Sequence, residues 1–170
     1  LSAITFPAIA APPDLTAGGV PNESPAITFN LGPTGLRGWA YHVKVDTGEA
    51  RQILVTAVAS GSPASGTVAV GDVILGASGT GANPGNFSSD ARKGLALAIA
   101  DAEASTPASL KLLRWRSGST STVTLTLQTL GAYSATAPYN CPKSTLILQN
   151  GLQYVYSNET AGRYSFGALA

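Results

Sequence analysis

One stretch of this chain carries a helical stripe, and the segments around it alternate with period two. Leu95, Ile99 and Ala102 fall at i, i+4 and i+7, the spacing of one helix face. Ser88 or Ser89 stands where an N-cap belongs, Asp90 suits the positive end of the helix dipole, and Pro107 closes the segment. Four strand-like runs precede this helix: Ile27–Leu31, Trp39–Val45, Ile53–Val58 and Val73–Leu75. Two follow it, Leu110–Arg116 and Thr122–Gln128. In the second run Trp39, Tyr41, Val43 and Val45 share one face, and Asp46-Thr47-Gly48 reads as the next hairpin turn. The order β-β-β-β-α-β-β predicts an α+β, mainly β fold. Its expected form is a five- to six-stranded, partly open antiparallel sheet or barrel, with one main helix over about 89–104.

The flanks differ from this middle. Residues 1–26 hold five of the eleven prolines and only two charges, Asp14 and Glu23, so an extended arm is expected there. The domain itself is expected over 27–131. Residues 132–170 form a C-terminal extension with Lys143, Glu159 and Arg163 as its only charges. Such a segment either packs on the domain or opens a further one. Within it Ser144–Tyr156 reads as a helix capped by Ser144 and weakened by Gly151. The chain has no methionine and no basic leader at its start, so a processed or trimmed chain is expected. Its sparse charge, abundant Gly, Ser and Thr, and single thiol suggest a secreted or periplasmic protein.

Composition closes several functional classes. Charged residues are 11% of the chain and the net charge is +1, which gives no electrostatic basis for nucleic-acid binding. One His and one Cys cannot build the usual zinc cages, so neither a metal nor another cofactor is expected. No apolar run reaches the roughly 18 residues of a membrane span. For catalysis, His42 is the only imidazole, on a strand where it alternates away from Trp39 and Tyr41. Gly76-Ala77-Ser78-Gly79-Thr80 lacks the last glycine of a nucleophile elbow. Gly79–Gly85 is no dinucleotide fingerprint, and Asp101 and Glu103 face different ways on the helix. Cys141 has no dipole or base arranged beside it by the sequence, so an inert thiol is expected. The chain reads as non-enzymatic.

Binding is better supported. Leu36-Arg37-Gly38-Trp39 leads into a strand, and consecutive main-chain amides around such a bend can form a concave nest for a carboxylate. Gly38 would supply a dihedral that a Cβ penalises. Arg37 either neutralises the ligand carboxylate or is solvated. In Gly71-Asp72 the simpler reading is a turn glycine with an aspartate satisfying turn amides.

Taken together, the Leu36-Arg37-Gly38-Trp39 loop, Ile53–Val58, Gly61-Ser62-Pro63-Ala64, Val70-Gly71-Asp72-Val73-Ile74-Leu75 and the helix with its flanking strands resemble a PDZ domain over about Ile27–Leu130. The chain also looks like the front end of large exported bacterial proteins of unknown function, in which such a module precedes a helical domain. The resemblance implies a partner: a peptide or protein C-terminus, or another domain of the same protein, added as a strand. It would lie beside Trp39, Ala40 and Tyr41, with its carboxylate on the amides of Arg37, Gly38 and Trp39 behind Leu36. Arg92, Ala96 and Ile99 would face it from the helix, and Leu95 would face the core. The loop Gly79–Phe87 is longer than usual, and Arg92 stands where well-known peptide binders use histidine. Two further roles stay open: a substrate-positioning segment of a protease whose catalytic domain lies elsewhere, and a structural module with a self-occupied groove.

Overall fold

The protein is described by a computed structural model over residues 27–160 and 163–164, so the expectation for the arm at 1–26 lies outside the described residues. The chain divides into two compact units, Leu1–Thr129 and Leu130–Ala170.

Among the described residues of the first unit six strands follow one another: β1 (Phe29–Asn30), β2 (Leu36–Trp39), β3 (Ile53–Val58), β4 (Val73–Ser78), β5 (Ser109–Arg116) and β6 (Ser119–Thr126). Each pairs with its neighbours in sequence, always antiparallel, giving one open sheet ordered β1 to β6. The α-helix α1 (Ala91–Glu103) lies between β4 and β5 in the chain and packs on both. The fold is therefore α+β with a mainly β core. Period-two burial fixes which face of the sheet turns inward: Ile53 and Val55 from β3, Leu110 and Leu112 from β5 and Leu125 from β6 are all buried. From α1, Leu95, Ala98, Ile99 and Ala102 meet them. Gly79, just past β4, lets the chain touch the helix itself; a Cβ there would collide with the Ala98 carbonyl and the Ala102 amide.

Polar anchors set the ends of these elements. Asp90, rather than the expected Ser88 or Ser89, caps α1, its Oδ1 accepting from the amides of Arg92 (3.0 Å) and Lys93 (3.2 Å) and from Thr47 Oγ1 (3.0 Å). The cap thus ties the helix start to the loop after β2, which the Ala91 amide reinforces by donating to the Ala50 carbonyl at 3.0 Å. At the turn before β4, Gly71 takes φ 89° and Asp72 Oδ2 accepts from the Ala69 amide at 2.9 Å. Arg116 closes on the same carboxylate with both Nε and Nη2 at 2.6 Å, pinning the end of β5 to this turn. Arg114 and Arg116 also donate to the Thr67 carbonyl, at 2.9 and 3.3 Å.

The second strand departs from the sequence expectation. It runs over Leu36–Trp39 rather than Trp39–Val45, with a bulge between Arg37 and Gly38. Trp39, Ala40, Tyr41 and His42 are all buried, whereas Val43 and Val45 are exposed, so the expected alternation fails. The cause is a tight turn at Lys44–Val45, closed by the bridge between Val43 and Asp46, two residues before the expected one. Lys44 (φ 50°) and Val45 (φ 69°) both occupy the left-handed region, which a lysine and a β-branched valine do not advertise.

The second unit holds α2 (Pro142–Ser157) and a two-stranded ladder of β7 (Glu159–Thr160) and β8 (Arg163–Tyr164). The helix starts at Pro142, with Cys141 rather than Ser144 as its N-cap, because proline fits the first helical position. Gly151 lies inside the helix without interrupting it.

Candidate functional site

The candidate site assembles beside β1. After Asn30 the chain makes a 3-10 turn, Gly32–Thr34, and comes back as β2, so that Phe29 pairs with Gly38 and Asn30 with Arg37. Gly32 (φ 68°) and Gly35 (φ 76°) make the reversal possible. The Gly61–Ala64 loop buttresses it: the Ala64 amide donates to the Thr34 carbonyl at 3.1 Å, and a Cβ on Gly35 would collide with the Ser62 side chain.

This arrangement corrects the expected geometry on the strand side. Leu36, Arg37, Gly38 and Trp39 form a strand between β1 and β3, not a bend with a free border. The amides of the true bend are largely used internally: Gly32 donates to Asn30 Oδ1 (2.9 Å), Leu36 to Thr34 Oγ1 (3.2 Å) and Gly35 to the Gly32 carbonyl (3.3 Å). Gly38 is a glycine for space rather than for a dihedral, since a Cβ would run into the Ile53 side chain. A valine there would therefore disturb the core. The Arg37 guanidinium reaches Thr28 Oγ1 at 3.1 and 3.3 Å and the Thr28 carbonyl at 3.2 Å. Ala40 and Tyr41 follow β2 as buried, non-strand residues.

On the helix side Arg92, Ala96 and Ile99 come together along one cavity of about 500 Å³. Leu95, expected to face only the core, also reaches it. The opposite wall is Asn30–Pro33, and Thr47 and Asp90 stand at the polar end. The volume suits a side chain or a short extended segment. Apolar surface comes from Leu31, Pro33, Leu95 and Ile99; Arg92 and Lys93 place two cations beside it. Away from α1 the lining is Asn30 at the end of β1 and the turn after it, where β2 was expected.

Phe29, missing from the sequence-derived site, does not line the cavity but contacts one of its lining residues. The Arg92 guanidinium lies over its ring, 3.7 Å from the centroid. His42 meets the same ring edge-on at 5.5 Å between centroids, and Trp39 meets His42 at 6.3 Å. His42 therefore packs with Trp39 instead of alternating away from it, because the strand has already ended. It is fully buried, with Nδ1 2.8 Å from the Ala40 carbonyl. His42 Nε2 and Trp39 Nε1 find no hydrogen-bond partner among the described residues. The one legible signal for Phe29 was the alternation of Ile27–Leu31 directly before a Gly-Pro-Thr-Gly turn, a hairpin pattern.

A second polar cluster lies in the other unit. Cys141 caps α2, and its thiol is lowered to about 6 by hydrogen bonds from the Ser144 side chain and from the Ser134 and Ser144 amides. The Ser134 amide donates to Sγ at 3.4 Å. The expectation of a thiol without a dipole beside it is corrected by the earlier helix start. Lys143 Nζ sits 4.5 Å from the centroid of the Tyr133 ring. Among the described residues no three His, Cys, Asp or Glu side chains group as a metal site, and no helix is long and apolar enough to cross a membrane.

The chain matches no protein-family model, no curated protein and no solved structure.

Proposed function

We propose that the first unit is a non-enzymatic docking module, similar to a PDZ domain, that takes an extended peptide or protein C-terminus between α1 and the β1–β2 end of the sheet. The observation that carries this reading is the cavity along Arg92, Ala96 and Ile99. Three spaced residues of one helix, an apolar floor, flanking cations and a sheet edge are the components that strand addition uses: main-chain pairing for affinity, a pocket for a side chain. Arg92 and Lys93 favour an acidic residue or a terminal carboxylate. Short strand additions bury little surface, so dissociation constants on the order of micromolar are expected.

Titration of the 15N-labelled chain with a C-terminal peptide library tests the reading. Shifts concentrated at Gly32, Ala96 and Ile99 support it. A library that moves none of these resonances excludes peptide docking here.

A further inference from the structure

The geometry points to β1 as a tethered internal ligand: residues Thr28–Asn30 occupy the strand position beside β2 that a docking peptide would take, and must leave before it can bind. The inference rests on the docking function proposed above. Three observations carry it.

First, β1 runs antiparallel to β2 and pairs through Phe29–Gly38 and Asn30–Arg37, as an added strand would. Second, α1 already holds β1 at Phe29, so a strand added beside β2 at this point would have to displace that contact. The Arg92 guanidinium already rests on the Phe29 ring at 3.7 Å. Third, the attachment is slight and incompletely satisfied. β1 has two paired residues, Phe29 is only partly buried, and Arg37 holds Thr28 through contacts at the long end of hydrogen bonding, 3.1–3.3 Å. His42, whose ring meets Phe29, keeps Nε2 without a partner, as does Trp39 Nε1 on the far side of His42, and a departing Phe29 uncovers the His42 ring. The closed form is favoured but exchangeable. Where the competent state is a minor population, apparent affinity falls by that fraction, so a site closed nine-tenths of the time binds about tenfold more weakly than its open form.

Two variants test this, both titrated with the C-terminal peptide library. Phe29→Ala removes the ring under Arg92 and loosens the clasp. Asn30→Cys/Arg37→Cys, made in a Cys141→Ser background, locks the β1–β2 pair by a disulfide when oxidised and frees it when reduced, so one protein serves as its own control. The expected result is roughly tenfold or more tighter binding by Phe29→Ala, with binding by the locked chain lost on oxidation and restored by reductant. Binding that persists in the oxidised chain and is unchanged or weaker in Phe29→Ala overturns the internal ligand and leaves docking at the outer side of β1. Absence of binding by wild type, Phe29→Ala and the reduced double-cysteine chain alike overturns the docking function itself.

Discussion

Arginines hold both ends of this sheet, and they hold them differently. At one end Arg116 grips the Asp72 carboxylate through two short bonds at 2.6 Å, while the same carboxylate accepts from the Ala69 amide. Asp72 is buried and the network around it joins β5 to the turn before β4. At the other end Arg37 and Arg92 hold β1 through longer bonds to Thr28 and a cation over the Phe29 ring. There the neighbouring His42 and Trp39 keep unpartnered polar atoms. A short, charge-assisted and bidentate pair makes a permanent joint. Neutral acceptors and a ring face make a joint that can exchange. The first builds the fold; the second stands beside the cavity.

The largest effect separating the two ends is expected from Asp72→Ala. It removes the Arg116 pair and the turn acceptor together, and should cost about 2 kcal/mol in urea unfolding. The pH profile sharpens this. Burial pushes the Asp72 carboxyl up, but the Arg116 hydrogen bond, the Ala69 amide and the charges of Arg116 and Arg114 hold it below its ordinary value of 3.8. A carboxyl lowered by folding contributes stability above its unfolded value, and that contribution is lost as pH falls through the lowered one. Wild type should therefore lose this increment below pH 3.8, and Asp72→Ala should lack it. A smaller effect, about 0.5 kcal/mol, is expected from Thr28→Val, which removes the hydroxyl acceptor of a half-buried arginine while the Thr28 carbonyl remains. Equal costs at the two ends would erase the contrast.

Parts of this were legible in the sequence, for identifiable reasons. Ile53–Val58 is a strand as its β-branched run predicts, and α1 lies where the helical stripe places it, although Asp90 and not Ser88 or Ser89 is its cap. Those signals are local. Arg92, Ala96 and Ile99, chosen through the resemblance, line one cavity because helical spacing puts them on one face. The strand side was not legible. Whether Leu36–Trp39 has a free edge depends on where Phe29 and Asn30 lie, and that depends on Gly32, Gly35 and the Ser62 buttress together. The Lys44–Val45 turn carries no residue that announces a positive φ. The Asp72–Arg116 pair joins positions 44 residues apart, and charge count alone cannot select that partner.

Native-state hydrogen exchange tests the exchangeable clasp most directly. The Leu31 amide, bonded to the Leu36 carbonyl at 3.0 Å, reports the β1–β2 turn, and the Leu112 amide reports β5, which is paired on both sides by β4 and β6. Opening at Leu31 should need at least about 2 kcal/mol less than at Leu112 and respond weakly to denaturant, the mark of a local event. Equal opening free energies with the same denaturant dependence would show β1 to be as permanent as the core and would contradict the account.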